Sequence, residues 1–151
     1  MPTLLVVHHT ASPALAAMLD AVLAGTRAEG IDGVQVRTRA ALAATAVDVL
    51  AADGFVLGSP VNIGYISGAL KHFLDQVYYP TRTEKPGAPF GYYLHGNDDT
   101  TGAQRAVESI TAGLGWRAAH APVLSTGAVG RQVTDACWDL GATLAAALMP
   151  L

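Results

Sequence analysis

One stretch, residues 55–75, limits the possible folds more than any other part of the chain. It begins with a short apolar run, Phe55–Leu57, which we interpret as a buried strand that Pro60 stops. A segment of small, polar and aromatic residues follows. Ser67 can then cap a helix, because its side-chain oxygen can accept from a backbone N–H of the first turn, and apolar residues follow at helical spacing. The stretch therefore predicts a strand, a loop at its carboxyl end and an amphipathic helix.

The same order of strand, polar loop and helix recurs along the chain. Five alternating strands and helices predict a parallel sheet with helices on both faces. We therefore expect one α/β domain over residues 1–151, a three-layer sandwich whose five-stranded parallel sheet has the order 2-1-3-4-5. The predicted strands are Leu4–Val7, Gly33–Arg37, Phe55–Leu57, Pro89–Leu94 and one within Trp116–Leu124. The predicted helices begin at Pro13, cover Ala40–Ala46 and Ser67–Tyr78, follow Thr100 or Thr101, and include Val133–Leu148.

Composition removes several classes of function. The net charge of −3 argues against a large basic face for nucleic acid. Cys137 is the only cysteine, which excludes an internal disulfide framework and a multi-cysteine metal site. The first residues lack the basic region of a signal peptide, and the apolar stretch 144–151 is too short to span a bilayer. We expect a cytoplasmic protein that binds neither nucleic acid nor membrane.

Familiar catalytic and nucleotide motifs are missing from the sequence. It contains neither G-x-x-x-x-G-K-[ST] nor G-x-G-x-x-G, and residues 64–68 miss G-x-S-x-G by one position. His9 and His95 are expected at the same sheet edge, but no spacing motif links them and no carboxylate partner is apparent. We therefore predict no metal site, and we assign no side chain as a catalytic acid or base.

The first polar loop has the character of an anion site. Ser12 and Pro13 are suited to cap and to begin a helix, and the first turn of a helix leaves backbone N–H groups unpaired. Because the loop has no Lys or Arg, amides, hydroxyls and the helix dipole would hold a phosphate. A plain helix cap would have the same residues and remains an alternative. The candidate phosphate-binding residues are His9, Thr10, Ala11, Ser12 and Pro13.

The second polar loop suits a flat ring. It combines apolar side chains with an amide that can form hydrogen bonds, a glycine that permits close approach of the backbone, and a tyrosine that can stack. A lid that packs on its own helix remains an alternative. The candidate ring-binding residues are Ser59, Pro60, Val61, Asn62, Ile63, Gly64 and Tyr65.

Residues 59–65, together with Ser67-Gly68 and the segment 71–75 (Lys-His-Phe-Leu-Asp), resemble the flavin loop and following helix of flavodoxin-like FMN proteins. The resemblance is closest to the NAD(P)H:quinone oxidoreductases and NADPH-dependent FMN reductases. It implies a flavodoxin-like fold and FMN as cofactor, with the phosphate at the first loop, although the glycine usual there is replaced near Ser12. It also implies a third loop at the flavin ring. The residues carried over for that loop are His95, Gly96, Asn97 and Asp98, while Asp99 is assigned to a solvated turn.

The resemblance also implies an activity. It predicts an oxidoreductase that uses NADH or NADPH to reduce a small-molecule acceptor, a quinone or a flavin, and that assembles as a homo-dimer or tetramer. Two alternatives remain open at this point. One is a flavodoxin-type electron carrier, and the other is a flavin-free binding or regulatory domain with the same fold.

Overall fold

A central sheet of seven strands separates two layers of helices in the computed structural model, which describes residues 1–151. The strands are β1 (Thr3–His8), β2 (Gln35–Ala40), β3 (Gly54–Asn62), β4 (Tyr65–Ile66), β5 (Pro89–Gly96), β6 (Arg117–Ala118) and β7 (Val123–Thr126). The helices are α1 (Pro13–Thr26), α2 (Ala46–Leu50), α3 (Gly68–Thr81), α4 (Thr101–Gly113) and α5 (Arg131–Ala147). Neighbouring strands follow the order β2-β1-β3-β5-β6, with β4 paired to β3 and β7 paired to β5. None of the helices has the length and apolar character needed to cross a bilayer.

The expectation of five strands is wrong in number. One additional strand, β4, pairs antiparallel with the end of β3. The last predicted strand is divided into β6 and β7, which both pair in parallel with β5. Pro122 lies in the connection between them, where its missing N–H and fixed φ do not suit a continuous ladder. The long strands are parallel as predicted, and β2 lies at one edge beside β1.

Strand β3 does not stop at Pro60 but continues to Asn62. The carbonyl of Gly58 accepts from the N–H of His9 at 2.9 Å, so the backbone of Gly58 faces β1. Backbone groups alternate between the two sides of a strand, and Pro60 therefore faces the same side, beyond the end of β1 at His8. The proline interrupts no ladder there, which explains why the strand tolerates it.

The predicted helix Ala40–Ala46 is also wrong. The chain turns after β2, and the helix begins only at Ala46, the last residue of the predicted helix. The carboxylate of Asp48 accepts from the N–H of Thr45 at 2.9 Å, which fixes the start of α2 at this position. Helix α3 continues past the predicted end at Tyr78 and includes Pro80 in its last turn.

The two faces of the sheet carry separate cores. One core lies between the sheet and helices α1 and α5, and the other lies beneath α2, α3 and α4. Helices α1 and α5 approach closely at two glycines. A side chain at Gly25 would collide with the carbonyl of Trp138, and one at Gly141 would collide with that of Val22. In the second core, the rings of Phe55 and Trp116 stack at 3.9 Å. These layers hold the carboxyl ends of the parallel strands in fixed positions.

Candidate functional site

The three polar segments predicted as sites follow neighbouring strands at one edge of the sheet. In the parallel register, His8 of β1 lies opposite Gly58 of β3, and Gly58 lies opposite Tyr93 of β5. Two residues further along both strands, Pro60 lies opposite His95. The carboxyl ends of β1, β3 and β5 are therefore adjacent. In open α/β sheets this edge is where ligands bind.

The first segment is the start of α1. Ser12 is the N-cap residue, its Oγ accepts from the N–H of Leu15 at 3.2 Å, and Pro13 is the first helical residue, as predicted. The backbone N–H groups of Thr10, Ala11 and Ser12 donate to no acceptor within the chain. These amides, together with the positive end of the helix dipole, form a donor set that suits an anion.

Two histidines lie immediately before this donor set. The Nδ1 atom of His8 lies 2.7 Å from the Oγ1 of Thr10, so these side chains hold each other in place. The Nδ1 atom of His9 is buried and has no partner. Burial and the neighbouring His9 both lower the pKa of His8. His9 was among the predicted site residues and His8 was not, although His8 ends the buried strand β1 directly before His9.

The second segment is a hairpin rather than a loop. Its first two residues, Ser59 and Pro60, are buried in β3. The Oγ of Ser59 donates to the carbonyl of Pro60 at 2.7 Å and accepts from the N–H of Ser67 at 3.1 Å. The Ser59 side chain therefore ties the hairpin to the start of α3, and it has no free surface for a ligand. The exposed part of the segment begins after Val61 and comprises Asn62, Ile63, Gly64 and Tyr65.

The third segment divides between a strand and a turn. His95 and Gly96 are the last residues of β5, and the His95 Nε2 donates to the carbonyl of Gly127 at 2.6 Å. Asn97 and Asp98 are exposed. Asp99 belongs to the turn, as predicted, because its carboxylate accepts from the N–H of Thr101 at 2.9 Å.

This turn is packed against the hairpin. A side chain at Gly96 would lie 2.9 Å from the Cβ of Val61, and a side chain at Gly102 would collide with the carbonyl of Gly64. Glycine at these two positions therefore permits the second and third segments to come together. The hydrogen bonds from Thr101 lower the pKa of Asp99, which favours the ionised carboxylate in this turn.

Other hollows and reactive groups lie mostly apart from this edge. A hollow of about 520 Å³ lies between β7 and α5, and it contains none of the predicted site residues. Beside the first segment, a smaller hollow of about 210 Å³ is lined by His8, His9, Thr10 and apolar residues. Cys137 is buried in the core, where desolvation raises the pKa of its thiol to about 12. No group of three or more His, Cys, Asp or Glu side chains could hold a metal ion.

The donor set at this edge fits FMN. Unpaired amides and the hydroxyl groups of Thr10 and Ser12 at a helix start suit a phosphate, and they need no Lys or Arg. The exposed hairpin, Asn62–Tyr65, carries no charge and presents apolar and aromatic side chains suited to a flat ring.

Comparison with known proteins gives matches over much of the chain. A family model described as NADPH-dependent FMN reductase matches residues 29–132, more than half of the chain. The flavodoxin of Aquifex aeolicus (strain VF5) is 38% identical over 77 residues, which make up 51% of this chain and 40% of that protein. The chain therefore matches less than half of the length of that flavodoxin.

Solved structures match the whole fold. A WrbA-like flavodoxin from Agrobacterium tumefaciens has a TM-score of 0.78 and 16% identity, with 98% of each chain covered. A flavodoxin from the domain Archaea has a TM-score of 0.79 and 15% identity, with 97% of this chain and 98% of that chain covered. At these identities the likeness concerns the fold alone, and it confirms the predicted flavodoxin-like α/β architecture.

Proposed function

The chain belongs to the NADPH-dependent FMN reductase family, and we propose that it binds FMN and uses NADH or NADPH to reduce a quinone or a flavin. The observation that carries this proposal is the convergence of three segments at one sheet edge. One of them offers unpaired amides and another an uncharged, exposed hairpin.

The start of α1 would hold the FMN phosphate. The amides of Thr10, Ala11 and Ser12 would donate to the phosphate oxygens, and the helix dipole would favour the negative charge. One helix end contributes only about 0.3–1 kcal/mol, and up to about 2 kcal/mol when partly buried. Several amides must therefore act together, which the three consecutive unpaired donors permit.

The hairpin and the turn after β5 would border the flavin ring. The hairpin offers the exposed segment Asn62–Tyr65, and the turn offers Asn97 and Asp98. The side chain of Ser59 would position this hairpin through its bond to Ser67 instead of contacting the cofactor. The hydride and electron chemistry is that of FMN when it is bound, while the protein supplies orientation and polarity.

A flavodoxin-type electron carrier is the second candidate. The 38% identity with the Aquifex flavodoxin over 77 residues favours it. Against it, a carrier that docks to proteins gains its association rate from a strongly charged surface. This chain has a net charge of −3, and the segment Ser59–Tyr65 has no charged side chain. That surface is better suited to a small apolar acceptor.

A titration of FMN into the flavin-free protein tests the shared first step. We expect the fluorescence of FMN and its visible absorbance to change to a saturating end point at micromolar protein. An unchanged spectrum with excess FMN would contradict both the reductase and the carrier, and would favour the flavin-free domain.

A further inference from the structure

The tip of the β3–β4 hairpin has an unusual backbone conformation. Asn62 pairs with Tyr65, and only Ile63 and Gly64 connect the two strands. Both connecting residues have positive φ, 53° at Ile63 and 71° at Gly64, as in a type I′ turn. Asn, Asp or Gly usually occupies the first of these positions. A β-branched residue such as isoleucine is strained there, because its Cβ crowds the backbone.

No contact within the chain compensates for this strain. The side chain of Ile63 is fully exposed and belongs to neither core. An isoleucine in this position therefore gains nothing from burial, whereas an asparagine would connect the strands without strain. Strained residues of this kind occur where a ligand or partner uses the conformation.

Two contacts hold the hairpin in this position. The carbonyl of Gly64 lies against Gly102 in the first turn of α4, where any side chain would collide with it. The base of the hairpin is tied to α3 through the bond between Ser59 and Ser67. The fold thus presents one apolar side chain outward from a fixed position at the edge of the candidate site.

We propose that Ile63 is a specificity-determining residue that contacts the apolar ring of the electron acceptor, a quinone. The inference rests on the proposed function, since it takes reduced FMN as the electron source. The absence of charge from residues 59–66 favours a neutral acceptor. A contact with an apolar ring would remove the exposed isoleucine from water and so offset the cost of its conformation.

The test compares Ile63→Asn with the native protein. Ile63→Gly is a second variant that also relieves the strain, and Val47→Asn is the control, because Val47 is an exposed apolar residue on α2. Without flavin, we expect Ile63→Asn to raise Tm by about 3–6 °C and Val47→Asn not to raise it. An unchanged or lower Tm for both Ile63 variants would show that the turn is not strained.

The second measurement follows the acceptor directly. Each protein is loaded with FMN, separated from unbound FMN, reduced with stoichiometric dithionite without oxygen, and mixed with 2-methyl-1,4-naphthoquinone or with ferricyanide. The quinone takes two electrons and two protons to become the hydroquinone, while two ferricyanide ions take one electron each. We expect Ile63→Asn to slow reoxidation by the quinone about five- to tenfold. Reoxidation by ferricyanide, a hydrophilic anion that gains no apolar contact with Ile63, should slow less than reoxidation by the quinone.

The proposal would be overturned if the Ile63 variants were reoxidised by the quinone as fast as the native protein. It would also be overturned if the variants lost rate equally with the quinone and with ferricyanide. Because dithionite supplies the electrons, a failure of NADPH to reduce the protein leaves this test intact. Failure of the native protein to bind FMN would contradict the proposed function and this inference together, and the preceding titration detects it separately.

Discussion

The ring of Tyr93 fills the space in which a side chain on Gly58 would lie. These residues face each other across the pairing of β5 with β3. Gly58 also accepts the hydrogen bond from His9 that leads into the first segment of the site. A glycine in the central strand thus lets a buried tyrosine pack directly beneath the sheet edge at which the three segments meet.

Substitution of this glycine should destabilise the protein. We expect Gly58→Ala to lower the free energy of unfolding by about 1–3 kcal/mol, because the added methyl group overlaps the Tyr93 ring. Gly68→Ala is the matched control, since a side chain there meets nothing within 4 Å. Urea unfolding measures both. A loss for Gly68→Ala as large as that for Gly58→Ala would contradict the packing argument.

Ser12→Asp separates phosphate binding from helix capping. Asp caps a helix as well as Ser does, so the stability of the flavin-free protein should change by less than about 0.5 kcal/mol. The added negative charge should weaken FMN binding by about 2 kcal/mol, a factor of about 30. Riboflavin lacks the phosphate, and its binding should change little.

The neutral variant Ser12→Asn is the control for this comparison, because it keeps the cap without the charge. It should retain more FMN affinity than Ser12→Asp when both are measured by fluorescence titration. If Ser12→Asp lost affinity for FMN and for riboflavin equally, the segment would be only a helix cap.

His8 should make stability depend on pH. Its pKa in the folded protein is lowered by burial and by His9, so the unfolded chain binds the proton more readily. The free energy of unfolding is therefore highest above the ordinary pKa of about 6.5, and it falls as pH decreases through that value toward the lowered pKa. We expect His8→Gln to reduce this decline in urea unfolding between pH 7.5 and 5. His72→Gln, at an exposed position on α3, should leave it unchanged.

The sequence was sufficient to predict helix starts that depend on interactions between residues close in the chain. The starts of α1 and α3 were predicted correctly, because Ser12 and Ser67 each accept from an N–H only three residues away. The start of α2 was missed, although Thr45 and Asp48 also interact locally, because the alanine-rich run before them resembles a helix. Continuous apolar runs identified β1 and β3, but the end of β3 depends on where the neighbouring strand ends.

The candidate site was predicted in outline. The three segments come to one edge because parallel strands align their carboxyl ends, and alternation of strands and helices already implied that. The structural role of Ser59 was not predictable, because its side chain bonds to the backbone of Ser67, eight residues away. The segment between them was predicted as a loop, whereas it forms a hairpin. The spacing of apolar residues also gives no information on the backbone angle φ, so the strained conformation of Ile63 was visible only in the structure.

Anaerobic mixing of the FMN-loaded protein with NADPH, and separately with NADH, tests the proposed reductase most directly. The absorbance band of oxidised flavin is followed, and 2-methyl-1,4-naphthoquinone is added once the band is stable. We predict that at least one nucleotide bleaches the band within minutes and that the quinone restores it. If neither nucleotide bleaches the band while dithionite does, the reductase proposal is contradicted and the protein is an electron carrier.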